Sequence, residues 1–163
     1  MDVRSICLGL VCCLALHSQA ADDGFQVRLG LTCSHLRELF FGCANGASPG
    51  FDTGLDDFAP PPGIQTGYTA FVPEDRLLPP LYKDIRAPAE QITWRLQADV
   101  WKSKSVGITW DPSSLPARYD FRLASRDKQI DMRKETRLEL ATTETLTITV
   151  TRRPAVADAR AQP

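Results

Sequence analysis

Three carboxylates, Asp52, Asp56 and Asp57, lie close together in a stretch rich in glycine and proline, with the amide Asn45 upstream. Oxygen donors of this kind suit a hard cation such as Ca²⁺, which takes six or more oxygen ligands. The spacing is not that of an EF-hand loop, and aspartates in Gly-rich turns also accept hydrogen bonds from their own backbone. Asn45, Asp52, Asp56 and Asp57 therefore carry two readings, a calcium site and a self-bonded turn, of which the turn needs fewer donors. Trp101 is a second candidate, out of phase with Trp94 and so turned from the face that Trp94 occupies. An outward indole can stack on a sugar ring or anchor a protein partner, or simply cover the strand end beside Lys102.

Residues suited to catalysis are sparse. His35 is the only histidine beyond the first twenty residues, whereas zinc sites draw on several His and Cys ligands. A Ser-His-Asp relay would have to use that one imidazole. No GxSxG, HExxH, GxGxxG or P-loop pattern occurs, and nothing pairs two carboxylates in a cleft for glycoside hydrolysis. A function must be argued from a site, so the expectation is a chain that is not an enzyme.

The elements that must position these residues are strands. In QITWRLQADV, residues 91–100, Ile92, Trp94, Leu96, Ala98 and Val100 recur at every second position with Thr93, Arg95, Gln97 and Asp99 between them. Such a period puts the apolar set on one face of a pleated strand, while a helix would scatter it. Val106, Ile108 and Trp110 repeat the pattern, so 91–110 reads as two strands joined at Lys102–Ser105, with Trp94 and Trp110 in one core. Alternation also marks Phe25–Leu31, Tyr68–Val72, Tyr119–Leu123, Ile130–Met132, Leu138–Leu140 and Leu146–Val150. Leu36–Phe41 fits a helix face or a strand, and the strand is preferred. From Gly42 to Gly67 the alternation gives way to a long Gly/Pro/Asp-rich loop. Eight or nine short strands with frequent turns indicate an all-β antiparallel β-sandwich, with a closed β-barrel as the alternative.

Composition narrows the class. The 163 residues suit one domain, and 43% hydrophobic with 24% charged residues is ordinary for a globular chain. A net charge of −1 offers no basic footprint for nucleic acid. Arg4, the apolar run Ile6–Leu16 and Ser18-Gln19-Ala20 read as an export signal over 1–20, cleaved after Ala20 and too short to be a membrane span. No transmembrane segment is then expected in the mature chain. The domain would occupy 21–151 and a patternless tail 152–163. Removing the signal leaves Cys33 and Cys43, an even pair that in an exported protein favours a disulfide. Two buried thiols are the other reading.

Three stretches taken in order carry a resemblance: Gly42–Asp57 followed by Pro60-Pro61-Pro62; Asp84-Ile85-Arg86 leading into Trp94; and Ile108-Thr109-Trp110-Asp111 through Leu115-Pro116 to Ile130–Arg133. Together they resemble immunoglobulin-like or fibronectin-type-III-like sandwich modules that recur, often terminally, in large secreted and surface proteins of bacteria. The resemblance covers most of the mature chain. It implies a spacer, adhesive or ligand-binding unit at the cell envelope or outside the cell, with an envelope or extracellular protein or a glycan as partner. The contrasting expectation is an extracytoplasmic hydrolase, or an accessory protein that binds calcium or carbohydrate.

Overall fold

The computed structural model describes residues 24–63, 66–101 and 103–154. The expected export signal lies outside them, as does the tail beyond Pro154. Where alternation was strongest, burial follows it. Strand β1 (Phe25–Thr32) buries Val27, Leu29 and Leu31. After it come β2 (Glu38–Cys43), β3 (Asp57–Phe58), β4 (Tyr68–Phe71) and β5 (Leu81–Arg86). β6 (Gln91–Asp99) buries Ile92, Trp94, Leu96 and Ala98, and is followed by β7 (Val106–Thr109). β8 (Tyr119–Ala124), β9 (Gln129–Asp131), β10 (Arg137–Leu140) and β11 (Glu144–Arg152) complete the described strands. β11 continues one residue past the expected domain boundary at Thr151, and Arg153 still pairs with Asp120 at 2.7 Å, so the expected tail begins inside the fold.

The eleven strands form one sheet in the order β10-β7-β1-β2-β5-β4-β6-β11-β8-β9, with β3 added to β5. It is mixed rather than purely antiparallel, because β2 and β5 run parallel. Parallel neighbours need a long crossover instead of a hairpin, and the chain between β2 and β5, with β3 and β4 inside it, supplies one. The sheet curls into a half-barrel. Curling brings β1 onto β8, with the Phe25 ring 5.2 Å from Tyr119 and 5.5 Å from Phe121. It also sets Phe41 of β2 5.0 Å from Trp94 of β6. A closed barrel is not reached, since β10 and β9 end the order at opposite sides.

β6 and β7 do not form the hairpin that their succession suggested. β6 lies between β4 and β11, whereas β7 lies between β1 and β10, so the link 100–105 carries the chain from one half of the sheet to the other. The stronger partner for β6 is β11, whose register runs from Glu144↔Ala98 to Thr151↔Gln91. Along it Leu146 meets Leu96, Ile148 meets Trp94 and Val150 meets Ile92, the apolar cross-strand pairs that stabilise a ladder. Trp94 and Trp110 do share one core, 0% and 6% exposed. Each indole N–H is satisfied there by a backbone carbonyl, Trp94 by Asp84 O at 3.1 Å and Trp110 by Met132 O at 2.8 Å.

Candidate functional site

The centre of the site is an irregularity in β5. Asp57 and Phe58 are consecutive, yet they oppose Lys83 and Leu81, which leaves Tyr82 as the extra residue of a bulge. A bulge re-aims the side chains that follow it. Beyond it the parallel ladder sets Asp84 opposite Phe41 and Arg86 opposite Cys43, both partners being core residues. Asp84 and Arg86 are accordingly buried, at 4% and 9% exposure.

Such burial is tolerable only for a charge that is paired and hydrogen-bonded. Arg86 Nε and Nη2 donate to the two oxygens of Asp84 at 3.0 and 3.1 Å, and Nη1 donates to Glu74 at 2.8 Å. Burial opposes the guanidinium charge, but the carboxylates of Asp84 and Glu74 outweigh it and raise the Arg86 pKa above its ordinary value. The guanidinium also lies 5.8 Å from the centre of the Trp94 ring. Around its mouth Pro49, Glu74, Ala87, Ala89, Gln91 and Thr93 line a groove of about 300 Å³.

Outside the bulge, the loop between β2 and β3 is pinned by its own polar groups. Ala44 N donates to Arg86 O at its start, and just past β3 Ala59 N donates to Pro80 O. Between them Asp56, 3% exposed, accepts from Ile85 N at 2.6 Å with one oxygen and from Asp52 N at 2.8 Å with the other. Asp52 in turn accepts from the backbone N and the hydroxyl of Ser48. Gly46 and Gly54 hold φ of 87° and 88°, left-handed values that a side chain would strain.

The pinned loop presents two aromatic rings. Phe51 and Phe58 stack face to face, 4.2 Å apart and 2° from parallel, and Phe58 remains 44% exposed. Next to the bulge, Tyr82 meets Phe40 edge-on at 5.5 Å and donates its hydroxyl to Glu38, which also pairs with Arg28. Partial burial, then the negative charge of Glu38, raises the Tyr82 pKa, with Asp57 adding to the effect. The Tyr82 hydroxyl therefore stays protonated and able to donate. A ring stack with one ring exposed can pack on an apolar face of a partner.

The residues singled out from the sequence fare differently. Asn45, Asp52, Asp56 and Asp57 share a loop but do not converge on a point: Asp52 and Asp56 face backbone amides, while Asn45 and Asp57 are exposed. Among the described residues no three His, Cys, Asp or Glu side chains gather as a metal site. The hydrogen bonds of Asp52 and Asp56 are those that the turn reading expects. The expected Cys33–Cys43 disulfide is corrected by the hairpin register. Cys43 stands opposite Phe25 at one end of the β1–β2 ladder and Cys33 follows Thr32 at the other, roughly 25 Å away at about 3.4 Å per residue. A bridge needs Cα atoms within about 7 Å, and none joins them. Trp101 is 52% exposed, as its phase required, and its backbone N donates to Asp99.

Phe51, Phe58 and the buried Asp84–Arg86 pair escaped the sequence reading. For the first two the available signal was a pair of large aromatics within a loop that lacks any strand period. No protein-family model, curated protein or solved structure matches this chain.

Proposed function

We propose that the chain is an exported, non-catalytic binding module acting at the cell envelope or outside the cell, with the Phe51–Phe58 border of the sheet as its recognition surface. The observation that carries this reading is an exposed aromatic stack on a loop whose conformation is fixed by buried carboxylate–amide bonds. Rings held in advance lose little entropy on binding, which favours recognition. The partner is an envelope or extracellular protein or glycan. Trp101, exposed on the link after β6, is a second place for such a partner to rest.

The sandwich reading of the architecture draws support from the seam in the sheet. β4 and β5 pair only at Phe71↔Leu81, so the sheet is nearly divided into two halves whose inner faces pack together. An immunoglobulin-like or fibronectin-type-III-like module has that general form. Export rests on the apolar run and small residues of 1–20, and an N-terminus at Ala21 in secreted or periplasmic material would support it.

Co-sedimentation with isolated envelope material tests the binding surface. Phe58→Ser should reduce the bound fraction at least several-fold while leaving the melting temperature nearly unchanged. Equal binding by the two proteins, or none by the parent chain, would remove the proposal.

A further inference from the structure

The sheet ends at β10 on one side and at β9 on the other, and the two edges differ. We propose that β10 is the docking edge for a second copy of this chain: two β10 strands pair antiparallel about a two-fold axis at Leu138, with Arg137 of each copy opposite Glu139 of the other.

Hydrogen-bond parity fixes which residues of β10 point outward, because bonded and non-bonded pairs alternate along an antiparallel ladder. Trp110 N donates to Thr136 O at 3.0 Å, and the register from Arg137↔Thr109 to Leu140↔Val106 sets Thr136 opposite Trp110. Leu138 and Leu140 are therefore bonded to β7, while the N–H and C=O groups of Arg137 and Glu139 point away from it. The far side of β7 agrees. Leu31 N donates to Arg37 O at 2.7 Å, toward β2. Gly30 and Thr32 are thus left to bond Thr109 and Gly107, and Ile108 and Val106 to bond β10. Among the described residues no strand lies beyond β10.

At β9 the same parity turns Gln129 and Asp131 outward, since Met132 N donates to Phe121 O. There the Asp131 carbonyl accepts from Lys134 N and Glu135 N at 3.0 and 3.1 Å, so the turn that follows occupies that edge. The outward groups of β10 have no such cover. Exposed edges are commonly guarded by charge, but the charges on β10 are of opposite sign and two residues apart: Arg137 and Glu139 are both exposed and pair with each other at 2.7 Å.

That spacing is complementary to itself. In a pair centred on Leu138, residue 137 of each strand opposes 139 of the other, the outward N–H and C=O groups exchange both ladder bonds, and each cross-strand pair joins Arg to Glu. Centring on Arg137 or Glu139 would set like charges opposite each other, which destabilises a pair. The contact is isologous. With four residues in each β10 it is also small, so the dimer is weak and reversible.

Sedimentation equilibrium of the full chain, over a concentration series reaching the millimolar range, should show a monomer–dimer equilibrium. Arg137→Glu and Glu139→Arg each set like charges at both cross-strand pairs, and each should weaken self-association about tenfold. An equimolar mixture of these two variants should recover the association, because one chain then carries two carboxylates and the other two guanidinium groups. The double exchange R137E/E139R retains the ion pair within the strand and so guards against a loss of folding. It should dimerise as the parent does, yet form almost no mixed dimers with isotope-labelled parent chain in native mass spectrometry. A parent that stays monomeric, folded single variants that associate as the parent does or fail to recover on mixing, or mixed dimers of parent and double exchange at the statistical fraction would overturn the proposal.

Discussion

Asp56→Asn isolates what pins the aromatic loop. Asp56 accepts two backbone amides, one on each oxygen. An asparagine side chain has one acceptor oxygen, so its NH₂ must point at the second amide. One hydrogen bond is lost and two donors face each other at a position 3% exposed to water. A buried unsatisfied donor costs about 1–3 kcal/mol, and removing a buried negative charge offsets part of that. A net loss of about 1–2 kcal/mol is expected, with the loop opening before the sheet. Urea unfolding followed by the fluorescence of the buried tryptophans gives the global figure, and proteolysis within 44–58 gives the local one. The pH dependence supplies a second check. Burial, the largest influence, raises the Asp56 pKa above its ordinary 3.8, although the amides of Ile85 and Asp52 pull the other way. A carboxylic acid with a raised folded pKa binds more protons when folded. Its contribution is fully present below the unfolded pKa and is lost as pH rises through the folded one. The deficit of the Asn variant should therefore be larger near about pH 4 than near about pH 7. A loss under about 0.5 kcal/mol, or a deficit that grows with pH, would refute the reasoning, since ordinary surface changes already fall within that range.

Trp94→Ala should cost about 3–5 kcal/mol by urea unfolding, because it removes a fully buried indole and strands the Asp84 carbonyl. Asp84→Ala leaves Arg86 buried without its bidentate partner, and a loss of about 3–5 kcal/mol is expected from the same assay. Replacing both residues with apolar side chains should recover part of that loss. Melting in Ca²⁺ against chelator should give the same midpoint, since Asp52 and Asp56 already serve backbone amides. A midpoint that rises with Ca²⁺ would favour the metal reading of the loop.

The legible part of this fold is the part where local and global preferences agree. Residues 91–99 and 144–152 alternate because one face of each strand is buried along its whole length, and both strands stand where that alternation puts them. β5 was legible only in its second half: Asp84-Ile85-Arg86 reads as a short extended piece, whereas Leu81, Tyr82 and Lys83 before it break period two around the bulge. Two-residue β3 is too short to show any period. Pairing was less visible still. Nothing local tells β6 to take β11 instead of β7, since that choice depends on a partner some fifty residues away. The cysteines failed for the same reason: sequence spacing made them near neighbours, while the hairpin register sent them to opposite ends of a ladder.

The bulge explains why a charged pair and an exposed aromatic stack belong to one device. By re-aiming β5 it sends Asp84 and Arg86 inward, where the Asp84 carbonyl receives the Trp94 indole and Arg86 covers that ring. The intervening residue, Ile85, then offers its backbone N to Asp56, and Arg86 offers its carbonyl to Ala44. Loop and core thus grip the same three residues from opposite sides. An apolar pair at 84 and 86 would pack the core with less desolvation cost, but it would surrender the link to Glu74 that fixes the Arg86 end of β5. On this account the buried charges are kept less for stability than for holding β5 in the one position from which the Phe51–Phe58 loop can be pinned.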